Sequence, residues 1–329
     1  MKKVLSTLVL LLSLTTLAAC GTEPAAPVVQ PTATTAAVME ATATTATSDP
    51  TATTAAAEPT ATTAAMESTP AASGGNTLDA IKARGRLIAG VKYDVRIFGY
   101  LNPETNKVEG FDVDLAKAVA ERIFGDPEKV EFVEAISANR IPYLEEGKAD
   151  VIFSTMTANE DRAKQIEFSD TYYVAGQSLL VPLNSTITSI RDLDGKTVGT
   201  VKGSTSEKNI AAKAPTAKIE LFDAYAAAVA AMDAGRVEAV TTDDIILYGF
   251  ARNAPDKFKV VGGQFTQEPY AAGVKKGNMD LLAEVNGALR DLKQSGEWAE
   301  IYKKWIGSDP TGLPPQEWRD VYLQPTATP

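Results

Sequence analysis

The chain has no histidine and a single cysteine, Cys20. Without histidine there is no Ser–His or Cys–His nucleophile pair and no imidazole metal ligand. One cysteine excludes an intramolecular disulfide and CxxC redox chemistry. No metal and no cofactor is expected. Residues 1–92 hold no Phe, Trp or Tyr, and no Lys or Arg lies between Cys20 and Lys82. A stretch without aromatics contributes little to a packed core. Positive charge is also scarce overall, with 32 Lys and Arg against 42 Asp and Glu and a formal charge of −10. An acidic surface repels phosphate backbones, which argues against a nucleic-acid partner.

What is present falls into three compositional zones. Lys2 and Lys3 precede an apolar run, Val4–Ala19, that is shorter than the roughly 20 residues of a comfortable membrane span. It ends in Leu17-Ala18-Ala19-Cys20. This pattern resembles a bacterial lipoprotein signal covering 1–19, cleaved before Cys20, whose thiol would carry the lipid (diacylglycerol, with palmitate). Residues 20–76 are dominated by Thr, Ala and Pro, and Thr-Ala-Thr-Thr-Ala recurs from Thr32, Thr42, Thr51 and Thr60. The period is too short for a folded repeat. With nothing to bury, the segment is expected to be a disordered tether reaching roughly 40 Å r.m.s.. The tail 323–329 shares that composition and the same expectation.

From Thr77 onward, strand and helix patterns alternate. Leu87–Val91, Val130–Val133, Asp150–Phe153, Gln177–Val181, Thr197–Thr200, Ile219–Phe222, Val237–Thr241 and Val260–Val261 read as strands. A helix capped by Asn76 is predicted over Thr77–Arg84, and an amphipathic one over Val113–Ile123. Others are predicted from a cap at Asn139 to Gly147, over Asn159–Gln165, Ser206–Ala214, Tyr225–Ala234, Met279–Ser295 and Trp298–Trp305. Such alternation implies an α/β fold with mainly parallel sheets, whose ligands sit beyond the carboxyl ends of the strands.

The run Gly110-Phe111-Asp112-Val113-Asp114-Leu115-Ala116-Lys117-Ala118-Val119-Ala120-Glu121-Arg122-Ile123 resembles the signature of family 3 extracellular solute-binding proteins. Supporting blocks stand in family order: Ser154-Thr155-Met156-Thr157 with Arg162, Phe168-Ser169-Asp170-Thr171-Tyr172-Tyr173, Leu193-Asp194-Gly195-Lys196-Thr197-Val198-Gly199, Val237-Glu238-Ala239-Val240 with Asp243, and Tyr270-Ala271-Ala272-Gly273-Val274. The resemblance covers about Leu78–Gly307. It implies a two-lobed periplasmic-binding-protein-like fold of type II, with two hinge strands and the ligand in the interlobe cleft. Lobe 1 would comprise 77–173 and 271–322, and lobe 2 would comprise 177–265. The hinges would lie near Val174–Gly176 and Thr266–Tyr270.

The same resemblance implies capture of an amino acid and delivery to an ABC transporter permease, by a monomer held outside the cytoplasm on the membrane through its lipid. Arg162, with Thr157 and Thr155 in the loop before it, matches the family's carboxylate grip, since a guanidinium pairs with a carboxylate through two parallel bonds. Thr205 and Ser206 open a helix whose N–H groups favour the same anion. Asp243 matches the ammonium-binding acid, and Tyr270 is placed in the cleft. Lys92 and Arg140 resemble the glutamate/aspartate-binding branch, in which such residues hold a side-chain carboxylate. Counting Arg162, Lys92 and Arg140 against Asp243 leaves two spare positive charges, which favours glutamate or aspartate. The alternatives are a neutral polar amino acid such as glutamine, or an enzyme on the same scaffold, for example a dehydratase.

Overall fold

The computed structural model describes residues 77–322; the expected signal 1–19, Cys20, the expected tether and the tail 323–329 lie outside the described residues. Two five-stranded sheets, each flanked by helices, make the two lobes. In the first, Val130–Glu134, Leu87–Val91 and Val151–Ile152 run parallel. Glu268–Lys275 then runs antiparallel between Val151–Ile152 and Ile166–Ala175. The second sheet repeats the plan. Lys218–Phe222, Thr197–Val201 and Ala239–Asp243 are parallel. Gln177–Pro182 is antiparallel to both Ala239–Asp243 and Phe258–Val261.

The sheets are therefore mixed, and the expectation of mainly parallel sheets is corrected. The reason is the connectivity. The chain leaves the first sheet along Ile166–Ala175 and returns along Glu268–Lys275, so these two strands must oppose each other. The residue pattern alone marks neither strand; the family resemblance places hinge strands at their ends, near Val174–Gly176 and Thr266–Tyr270. Pro269 and Gly273 break the pattern of the return strand, and Ser169 and Asp170 interrupt the outgoing one. Between the crossings, Gly176 N–H donates to Asp244 Oδ1 and Asp244 N–H donates to the Gly176 carbonyl. Across the gap, Gln177 N–H donates to Thr266 Oγ1.

Helix starts differ in detail from the sequence reading. The first helix, Leu78–Arg84, is capped by Thr77, whose side chain accepts from Ala80 N–H. Asn76 lies outside the described residues. Asn139 precedes the helix Arg140–Glu146 without a side-chain capping bond. The helix Thr205–Lys213 takes Ser204 as its cap, so Thr205 and Ser206 are its first two residues.

The core of the first lobe continues across the lobe boundary: Val201, Tyr225, Ile245 and Ile246 pack in one cluster with Phe98, Phe111, Tyr172 and Tyr270. Phe98 stands edge-on to Phe111, Tyr173 and Tyr270, with ring centroids 5.3–5.7 Å apart. Edge-to-face rings add stabilisation beyond buried area, about 0.5–1.5 kcal/mol per pair. Gly110, at the head of the signature helix Phe111–Phe124, holds φ +145°, and a Cβ there would lie 2.1 Å from the Phe98 carbonyl oxygen. Only glycine permits that approach, which seats the buried Asp112 under the cleft.

Candidate functional site

Arg162 is placed by a very short element. Asn159 caps the helix Glu160–Ala163, its side-chain oxygen accepting from Arg162 N–H at 3.0 Å. The guanidinium donates to the Thr157 carbonyl at 2.7 Å and, across the cleft, to the Gly203 carbonyl at 3.1 Å. Withdrawal from solvent holds its pKa below the usual arginine value, and neighbouring Arg140 lowers it further. The hydroxyls of Thr157 and Thr205 lie 3.4 Å apart, one on each lobe. The first-turn N–H groups of Thr205–Lys213 have no partner within their own helix and face an anion favourably.

Thr155 sits at φ +43°, an uncommon backbone for a β-branched residue. Its N–H donates to Asp112 Oδ2 at 2.9 Å, which pins the strained turn. Such strain is held where surrounding contacts over-determine it.

Asp243 ends the strand Ala239–Asp243 and precedes the helix Asp244–Asn253. It is 4% exposed. Oδ2 accepts from the Tyr270 hydroxyl, while Oδ1 has no hydrogen-bond partner among the described residues. Burial pushes the Asp243 carboxyl well above the ordinary range and Glu268 pushes it further, against the Tyr270 bond, which lowers it. A buried carboxylate oxygen without a donor is costly unless something else supplies one. Ser206, buried on the neighbouring helix, has its hydroxyl 3.4 Å from that of Thr242.

Lys92 and Arg140 are both buried, but each has protein partners. Lys92 Nζ donates to Ser137 Oγ at 3.0 Å and lies 5.6 Å from the centroid of the Tyr225 ring on the opposite lobe. Burial, with Arg140 next, lowers the Lys92 pKa to about 7. Arg140 spends most of its fork on carbonyls: Ser137 at 3.2 Å, Ser154 at 2.9 Å, Thr155 at 3.0 Å and Gly203 at 3.4 Å.

The charge count made from the sequence omitted two acids. Asp112 and Glu268 are buried beside the same cations. Burial raises Asp112 to about 7, opposed by its Thr155 and Tyr172 hydrogen bonds and by Lys92 and Arg140. Glu268 Oε1 accepts from Asn209 and Thr266, which join the helix Thr205–Lys213 to the return crossing. Asp112 stood inside the signature already singled out, and Glu268 inside the second hinge, but neither position signals burial in the sequence.

Two cavities meet at Thr205. One, of about 390 Å³, is lined by Arg140 and Arg162 on one lobe and by Gly203 and Thr205 on the other. The second, of about 530 Å³, is lined by Thr157, Thr205, Asn209, Glu268 and Tyr322. Asp243, Lys92 and Tyr270 lie deeper and line neither. Thus Thr205 joins the cavity of Arg162 and Arg140 to the cavity of Thr157, and Asp243, Tyr270 and Lys92 are buried residues that line neither. Among the described residues there is no His, Cys, Asp or Glu cluster that could hold a metal, and no helix long and apolar enough to cross a membrane.

The chain is 47% identical over 236 residues to the ABC transporter glutamine-binding protein GlnH of Bacillus subtilis, covering 71% of this chain and 86% of that protein. It is 32% identical over 249 residues to the glutamate-binding protein GluB of Corynebacterium efficiens, covering 72% and 84%. A solved ancestral arginine-binding protein bound to glutamine superposes with a TM-score of 0.64 at 41% identity, covering 68% of this chain and 99% of that one. Residues 87–308 match the model of the bacterial extracellular solute-binding proteins, family 3, and the chain belongs to that family.

Proposed function

We propose that this protein captures a neutral polar amino acid, glutamine first, between its lobes and delivers it to an ABC transporter permease. The observation that carries the reading is the balance of buried charge. Arg162, Arg140 and Lys92 share the site with three buried acids, Asp243, Asp112 and Glu268, and burial lowers Lys92 to about 7, so the site carries less than the two spare positive charges counted from the sequence. A zwitterion with an uncharged side chain adds no net charge to such a site, whereas glutamate would bury an uncompensated carboxylate. Arg140 already gives three bonds to the backbone of its own lobe, which leaves it less free to grip an acidic side chain. The higher identity to the glutamine-binding relative supports the same choice.

In this reading the α-carboxylate lies against Arg162, the Thr157 hydroxyl and the N–H groups of Thr205 and Ser206. The α-ammonium donates to Asp243 Oδ1. Because these groups belong to different lobes, ligand stabilises closure, and the closed form is what the permease receives. Cys20 would hold the domain to the outer face of the cell membrane through lipid, with 21–76 as its tether. The relatives are named for binding rather than turnover, which favours transport over an enzyme on the same scaffold.

A thermal-shift panel of the common amino acids tests the ligand class, since a ligand that binds only the folded state raises Tm. Glutamine should give the largest shift. At 100 times its Kd it adds about 2.7 kcal/mol of stability. A larger shift with glutamate or aspartate would restore the acidic reading, and no shift with any amino acid would overturn both.

A further inference from the structure

The family match ends at residue 308, yet the chain continues as an ordered segment to Tyr322. That segment runs back over the first lobe. The Gln316 carbonyl accepts from Thr171 N–H at 2.8 Å. Trp318 is buried against Ala158, Ala271 and Phe168, with its ring 6.1 Å from that of Phe168. Arg319 forks onto Glu160, with bonds of 2.8 and 3.3 Å. The Tyr322 hydroxyl donates to the Ala158 carbonyl at 2.6 Å.

These contacts converge on one short stretch. Ala158 follows Thr157, and Glu160 shares its single helical turn with Arg162. From the other side the stretch is held by the return strand, with Ala158 N–H donating to the Pro269 carbonyl at 2.8 Å and Ala271 N–H to the Met156 carbonyl at 3.1 Å. Tyr322 also enters the cavity that Thr157 shares with Thr205 and Glu268. A four-residue helix has too few internal bonds to hold its own geometry. Its position must come from what packs against it.

We propose that residues 309–322 are a strap that fixes the stretch Thr157–Arg162, with Tyr322 as the positioning residue for the group that grips the ligand carboxylate. This rests on the proposed role of Arg162 and Thr157 and adds a part outside the family match. Trp318 anchors the strap, Arg319 holds the helix through Glu160, and Tyr322 ties down the carbonyl next to Thr157. A strap that cost nothing to lose would leave Thr157 and Arg162 ordered without it.

Tyr322→Phe in the full-length protein removes one hydroxyl and keeps the ring. Two measurements are made on it: amide hydrogen exchange of the ligand-free protein, and L-glutamine affinity by calorimetry. Exchange should quicken about 5-fold or more in 154–163 and stay unchanged in 197–213, with Tm within about 2 °C of the parent. The glutamine Kd should rise about 3- to 10-fold, the range of one lost hydrogen bond. Unchanged exchange in 154–163, or an unchanged Kd, overturns the strap; so does faster exchange spread over both lobes. The exchange readout needs no ligand, so it stays legible if glutamine proves the wrong amino acid. Failure of the site reading would instead appear as full affinity in Arg162→Ala.

Discussion

Arg162→Ala should abolish amino-acid capture while leaving the protein folded. The guanidinium bridges the Thr157 and Gly203 carbonyls and is the only arginine of the Glu160–Ala163 turn, which presents it to the cavity between the lobes. A ligand carboxylate there gains a charge-assisted, two-pronged bond. Truncating one partner of a hydrogen-bonded charge pair costs about 2–5 kcal/mol, or a rise in Kd of roughly 30-fold to several thousand-fold. Calorimetry reads the loss. The fold should survive, because Asn159 still caps the turn and the core clusters do not include this side chain. Near-parental affinity for glutamine would remove Arg162 from the site.

Gly203→Ala should fail in a different way, through closure. Gly203 holds φ +71°, and an added Cβ would stand 2.8 Å from Ala138 Cα on the opposite lobe. The left-handed backbone alone costs a non-glycine residue about 1–2 kcal/mol whether the lobes are apart or together. The clash exists only when they are together, and overpacking of that kind costs about 1–3 kcal/mol. Ligand-free stability should therefore fall modestly. Affinity should fall by a further factor of roughly 5 to 150, the closure penalty alone. Small-angle scattering should show that glutamine compacts the variant only at a concentration raised by that same factor over the parent's. Equal affinity in variant and parent would show that the Gly203–Ala138 approach is not part of the bound state.

Much of the fold was legible because its signals are local. The helix Phe111–Phe124 declares itself through Leu115, Val119 and Ile123, four residues apart on one core-facing stripe, and Gly125 ends it in the left-handed conformation. The strand Leu87–Val91 is an apolar run, and Thr197–Val201 is rich in β-branched residues, each of a length that suits a covered sheet. The two crossing strands were expected only through the family resemblance, because their burial comes from partners far along the chain. Tyr270 pairs with Tyr173 and Pro269 with Val174, contacts no local periodicity encodes.

The site divides along the same line. Arg162, Thr157 and Thr205 were found through their motifs and meet around the cavities. Two buried acids were not counted from the sequence because burial of an acid is a tertiary fact. Asp112 looks like an ordinary first-turn acid on a helix, and Glu268 like a loop residue, yet both are almost fully covered. The surroundings of Arg140 were not legible either: nothing in Ser137-Ala138-Asn139-Arg140 reveals that the folded chain offers its guanidinium four carbonyl oxygens. Tyr322 lay beyond the matched motifs altogether.

The most direct test is a crystal structure of the protein grown with L-glutamine. The zwitterion should span the lobes, its carboxylate within hydrogen-bond distance of the Arg162 guanidinium and its ammonium on Asp243 Oδ1. Density for glutamine in any other place, or in that cleft with neither group touching it, would contradict the grip between Arg162 and Asp243.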